Sequence, residues 1–258
     1  MNSRFTPATF SAANRAWWDS DAVNYHTQHP EYLSSFYWCP EMLHEREAQL
    51  LGDVSGTTVL ELGCGSAPCG RWLAEHFPTA RIIGLDLSME MLRCAPLDHA
   101  PFRPLHADAL ALPLQDNSVD TVFSVFGALP FIDDLSAVFA EVSRVLRPQG
   151  RFVFSVNHPM RWIFADDPSA EGLHVAYSYF DDAYTEANER GELVYAESHH
   201  TLSDYINHLV AAGFSIRRMI EPEWPDNLTT TWGQWSPLRG HVFPGTLIIS
   251  AAKEPGCM

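Results

Sequence analysis

An acid followed by two glycines, Glu61, Gly63 and Gly65, stands in the run VLELGCGSAPCGRWLA at residues 59–74. Glycine weakens a strand interior, and a carboxylate at the end of a buried strand is costly. The spacing therefore asks for a ligand that needs bare backbone and a negative charge close by. Gly63 and Gly65 let the main chain approach such a ligand without a Cβ collision. Glu61 can meet an ammonium group, directly or through water. A second acid, Asp86 in GLDLS, lies 21 residues past Gly65, where a carboxylate can grip both hydroxyls of a ribose. These residues together suit a nucleotide-type cofactor with an amino-acid end. Each also has an ordinary alternative: Glu61 as the partner of a helix N-terminus, Asp86 as a strand-end turn acid.

The elements that must hold these residues alternate regularly from Thr57 onward. TVLEL reads as a strand, and Pro68 suits the first turn of a helix carrying Cys69, Trp72, Leu73 and Phe77 on one stripe. RIIGLDL is a second strand, and Ser88 is the N-cap of the helix that follows it. FRPLHAD and VDTVFSVFG are further strands. DLSAVFAEVSRVL is a helix, RPQG a turn and RFVFSV a fifth strand. Such alternation indicates a parallel sheet covered on both faces. Residues 1–50 are aromatic-rich and read as a cap of two or three short helices. Residues 158–200 break the rhythm as an acidic β-hairpin or lid. Thr201 and Asp204 form a capping box for the helix after it, and two last strands, SIRRMIEP and GTLIISAAK, close the chain. The loop between those strands is long enough to be a lid.

Composition bounds the function. The chain has 258 residues, is 46% hydrophobic and carries a formal charge of −16. No cluster of Lys or Arg offers a phosphate-neutralising patch, which argues against nucleic acid and against an anionic membrane surface. The five cysteines form no C-x-x-C pair, and neither a disulfide framework nor a zinc site is expected. The N-terminal stretch lacks the apolar segment of a secretory signal, and a cytoplasmic address follows by default.

Against the dinucleotide fingerprint G-x-G-x-x-G, Gly63 and Gly65 match but Pro68 holds the third place, which weakens an NAD(P) assignment. Glu61-x-Gly63-x-Gly65 instead resembles the first motif of class I S-adenosylmethionine (SAM)-dependent methyltransferases. The resemblance continues in order through GLDLS, HADALALPLQDNSVD, VDTVFSVFGALPFIDD and VLRPQGRFVFSV, covering roughly residues 57–157. Three departures stand out: Pro68 in the glycine loop, Val125 where many members are polar, and Gln149 in place of a glycine.

The resemblance implies a Rossmann-like, doubly wound α/β domain over 1–258. Its mostly parallel seven-stranded sheet would have an antiparallel last strand, with the N-terminal cap (1–50), the SAM-binding half (57–157), the insertion (158–200) and the C-terminal half of the sheet (201–253). It implies that Asp108 and the N–H of Ala109 read the adenine edge, where Asp108 has an Asx-turn as its alternative. It also implies that Cys64, Leu87, Met91, Val125 and Phe126 line the cofactor, and that Tyr25, in a Trp18-Asp19…Tyr25 signature, donates to the cofactor carboxylate. His158 and His199, with His200 beside it, fall on the substrate side and are candidate general bases. Trp162, Trp224, Trp232 and Trp235 could wall an acceptor pocket or close a lid. The implied activity is methyl transfer from SAM to a small-molecule acceptor, leaving S-adenosylhomocysteine (SAH). A SAM-binding regulator or partner subunit without transfer activity, and an NAD(P)-dependent oxidoreductase, are the alternatives.

Overall fold

A computed structural model describes residues 6–96 and 102–255, so Cys257 lies outside the described residues. The helices are α1 (Pro7–Gln28), α2 (Glu45–Ala48), α3 (Pro68–His76), α4 (Met89–Arg93), α5 (Leu135–Val145), α6 (Leu202–Ala211) and α7 (Pro237–Gly240). The strands are β1 (Thr58–Leu62), β2 (Arg81–Asp86), β3 (Arg103–His106), β4 (Val119–Val125), β5 (Leu146–Asn157), β6 (Ala183–Ala187), β7 (Leu193–Ser198), β8 (Phe214–Ile220) and β9 (Thr246–Lys253). Seven of the strands form one sheet in the order β3-β2-β1-β4-β5-β9-β8, with β9 antiparallel to both neighbours. The doubly wound expectation holds, including the antiparallel last strand. β6 and β7 pair as a separate antiparallel hairpin within the 158–200 insertion.

Alternation along the central strands divides the core into two layers. Leu60, Val122, Phe152 and Phe154 face α5 and α6, while Val59, Phe123 and Val153 face α3 and the 36–54 segment. Trp38 is fully buried in the second layer, and its indole N–H donates to Glu45. Local signals set the helix starts. Ser88 accepts from the N–H of Met91, Asp134 from Ala137, and Thr201 and Asp204 cap α6 reciprocally. Gln149 takes a left-handed φ of 67° at the turn inside β5, the conformation for which glycine is usual.

The N-terminal cap departs from the expected short helices. Its first helix, α1, runs 22 residues from a Thr6 N-cap, with Pro7 in the first turn. The apolar stripe that would have revealed its length is broken by Asn14, which is buried and bonded at both ends of its amide. Asn14 donates to the carbonyl of Phe131 and accepts from the N–H of Ala196 on β7. Asp19 accepts from Ser88 Oγ and the N–H of Glu90, so α1 also braces the start of α4. α1, α4 and the hairpin are thereby joined above the carboxyl ends of β1, β2 and β4. Among the described residues no helix is long and apolar enough to cross a membrane.

Candidate functional site

The strand order reverses between β1 and β4, and ligands in open α/β sheets collect at such switch points. A cavity of about 1030 Å³, its mouth included, opens there beneath α1. It is lined by Glu61, Gly63, Cys64, Gly65, Asp86, Leu87, Met91, Asp108, Ala109, Val125, Phe126 and Tyr25. The structure thus gathers around one cavity every residue suggested for cofactor binding.

The loops after β1 and β4 touch at the floor. Gly63 has φ +67°, and a Cβ on it would lie 2.4 Å from the carbonyl carbon of Gly127. Its bareness therefore serves chain-on-chain contact as well as any ligand. Gly65, at φ +51°, would place a Cβ 3.1 Å from the flexible end of Met91.

Glu61 is 3% exposed, and its Oε2 accepts from the N–H of Gly70 in the first turn of α3 at 3.0 Å. It does serve the helix N-terminus, as its ordinary alternative would have it, yet no described cation pairs with it. Burial, with the Asp86 carboxylate adding to it, pushes its carboxyl up to about 8. Asp86 spans the two loops: its oxygens accept from Gly65 N at 2.7 Å and Ser88 N at 2.8 Å. Burial outweighs those bonds and raises its carboxyl to about 6. Asp108 accepts from Leu110 N at 2.9 Å in an Asx turn. Among the described residues, the cavity lining contains acids but no Lys, Arg or His.

The roof was less visible in the sequence. The ring of Tyr25 meets Trp18 edge-on with centroids 5.4 Å apart, and burial raises its hydroxyl well above the ordinary phenol value. Tyr32 also lines the cavity, and its hydroxyl is buried without a partner. The one available signal was its place in an aromatic cluster, EYLSSFYW. Trp232, from the 221–244 loop, stacks on His29 at 3.8 Å and meets Tyr32 edge-on at 5.1 Å. Trp235, from the same loop, meets Phe126 at 5.6 Å. The long loop therefore reaches the residues lining the cavity through two tryptophans, while Trp224 donates to the carbonyl of Leu228 within the loop.

The histidines lie elsewhere. His158 and His199 line a second, smaller cavity of about 300 Å³, its mouth included, beyond the carboxyl end of β5. His158 Nδ1 accepts from the N–H of Met160, and Nε2 lies 2.9 Å from Glu221 Oε1. Both ring nitrogens are thus engaged, and burial lowers its pKa despite Glu221. His199 Nε2 donates to the carbonyl of Tyr179, its ring stacks on Trp162 at 4.6 Å, and burial lowers its pKa to about 4. His200 Nε2 likewise donates to the carbonyl of Ile132. This geometry gives the two base candidates structural contacts. His158→Gln is expected to lower stability by about 1 kcal/mol through the lost cap and leave SAH affinity unchanged. Thermal unfolding and ligand titration check it; a stable variant with lost turnover would restore the base role.

Comparison with known proteins agrees with the geometry. Residues 60–154 match a family described as a methyltransferase domain. The malonyl-[acyl-carrier protein] O-methyltransferase of Hahella chejuensis is 30% identical over 183 residues, which cover 66% of this chain and 64% of that protein. The fatty-acid O-methyltransferase of Mycolicibacterium smegmatis is 34% identical over 123 residues, covering 46% and 43% respectively. The chain thus spans less than two thirds of either curated relative. Among solved structures, a SAM-dependent methyltransferase from Mesorhizobium loti superposes with a TM-score of 0.61 at 26% identity, covering 81% of this chain and 97% of that one. The chain therefore carries a methyltransferase domain over residues 60–154 and has the fold of the class I SAM-dependent methyltransferases.

Proposed function

We propose that this protein moves the S-methyl group of SAM to a small-molecule acceptor, releasing SAH. The observation that carries this is the cavity at the switch point, lined by three acids and by no described cation. A cofactor bearing ammonium and sulfonium charges suits such a lining, whereas the pyrophosphate of NAD(P) does not. The start of α3, where a pyrophosphate would sit in a dinucleotide fold, already meets the Glu61 carboxylate. The orphaned hydroxyl of Tyr32 and the unpaired Glu61 fit a ligand with both a carboxylate and an ammonium group.

When bound, SAM supplies a methyl group activated by its sulfonium. The chain's part is to position two reactants. Glu61 would hold the ammonium, Asp86 the ribose hydroxyls, and Asp108 with the N–H of Ala109 the adenine edge. Cys64, Leu87, Met91, Val125 and Phe126 would pack around it, and Tyr25 would donate to its carboxylate. The relatives' names specify oxygen methylation, which supports an oxygen acceptor here. The net charge of −16 supports a protein with neither nucleic-acid nor anionic-membrane partners.

The experiment is transfer of labelled methyl from SAM to a metabolite extract, preceded by calorimetric titration with SAH and NAD. SAH binding without any labelled product would favour the non-catalytic alternative, and NAD binding alone the oxidoreductase. Asp86→Ala is expected to weaken SAH binding by about 2 kcal/mol, roughly 30-fold, because charge-assisted bonds to the ribose are lost. Unchanged affinity in a folded variant would remove the ribose assignment.

A further inference from the structure

Two arginines stand out in the C-terminal half, and only one is tied into the fold by hydrogen bonds. Arg239 donates to the carbonyls of Ala165 and Asp167 and to Gln234 Oε1, binding two loops together. Arg161, on the turn just after β5, is different. Its side chain makes no hydrogen bond to any described residue, and its Nε is sealed from solvent. No described carboxylate comes within 4.0 Å of it. Its guanidinium instead lies 3.9 Å from the centre of the Trp235 ring. The residue is half-buried, and a sealed guanidinium nitrogen without a partner is costly to keep.

Arg161 lines the smaller cavity, and two other orphans line it with it: Ser198 Oγ and Asn157 Oδ1. The cavity adjoins the cofactor site. Pro130 borders the small cavity, while Ala128, Phe131 and Ile132 of the same turn border the large one. Trp235, beneath Arg161, touches Phe126 of the large cavity. The acids whose charge reaches Arg161 are Glu197, which also lines the small cavity, Asp166 and Glu41, and burial pushes the Glu197 and Glu41 carboxyls toward the neutral form.

We propose that Arg161 and Ser198 form an anion subsite for the methyl acceptor, and that the acceptor is a small molecule carrying a carboxylate. This rests on the methyltransferase reading above. A carboxylate accepts from the guanidinium and from the Ser198 hydroxyl, which leaves Asn157 Oδ1 to a neighbouring hydroxyl or water. One cation with three acids around it suits a single negative charge and not a phosphate dianion. Arg161 is then a specificity-determining residue that orients the acceptor.

The test is calorimetric titration of the protein, with and without SAH, using acetate, benzoate and octanoate against their amides. The carboxylates are expected to bind at least about 10-fold more tightly than the amides. Arg161→Gln should erase that preference, Arg161→Lys should keep part of it, and SAH affinity should stay within about twofold in both. Because Arg161 makes no hydrogen bond to described residues, Arg161→Gln should not lower the melting temperature. Absence of carboxylate binding to the parent at about 10 mM overturns the proposal. So does an equal preference in Arg161→Gln, or a fall in melting temperature that Arg161→Lys reverses without any change in anion binding. Arg161-dependent carboxylate binding in a protein that does not bind SAH would keep the anion subsite and overturn the methyltransferase reading alone.

Discussion

Gly63→Ala is expected to destabilise the fold by about 3 kcal/mol and to lower the melting temperature by roughly 6–12 °C. Two costs combine. The residue holds φ +67°, which an L side chain adopts at about 1 kcal/mol or more. A methyl there would also lie 2.4 Å from Gly127 C and 2.7 Å from Ala128 N, which are backbone atoms that cannot rotate away. The contact is mutual, because a Cβ on Gly127 would come 2.0 Å from the Gly63 carbonyl oxygen. Relieving it separates the loops after β1 and β4, and those loops are the floor of the cavity. Gly65→Ala is the control. Its backbone is also left-handed, but its Cβ meets only the Met91 terminus at 3.1 Å, so about 1 kcal/mol is expected. Urea denaturation of the two variants decides the matter; equal midpoints would show that the Gly63–Gly127 crossing is not a constraint.

That comparison also marks how far the sequence could be read. Glu61, Gly63, Gly65, Asp86 and Asp108 sit at the ends of strands whose alternation is local, so spacing, with the family resemblance for Asp108, was enough to group them on one cavity. The partner that makes Gly63 indispensable, Gly127, lies 64 residues away, and no local pattern links them. The roof is more remote still. Trp232 meets Tyr32 across 200 residues, and Asn14 joins Ala196 across 182. Such pairings are set by how α1 and the 221–244 loop settle on the sheet, a tertiary outcome with no period in the chain. The contacts of the histidines were hidden for a related reason. Position after β5 predicted the right end of the sheet for His158, but not that both ring nitrogens would be taken by Met160 and Glu221.

Glu61→Gln is expected to weaken SAH binding by about 3 kcal/mol, roughly 150-fold, by leaving the ligand ammonium without its carboxylate. The sharper signature is protonic. In the unliganded protein the Glu61 carboxyl is held up at about 8, against an ordinary value of 4.5, so it is largely protonated at pH 7. An ammonium beside it favours the ionised form and lowers that pKa, so binding below pH 8 must release a proton. Affinity should then rise with pH toward 8. Stability of the unliganded protein runs the other way. A carboxyl whose pKa is raised on folding contributes stability in full below about 4.5 and loses it as pH rises to about 8. Glu61→Gln should flatten that decline and stabilise the unliganded protein at pH 8 while it weakens the complex. Calorimetry at pH 7 in phosphate and in Tris reads the released proton directly, since the two buffers differ in ionisation enthalpy. If the parent releases no proton, or if Glu61→Gln releases as many as the parent, Glu61 is not the group that meets the ammonium and serves only the first turn of α3.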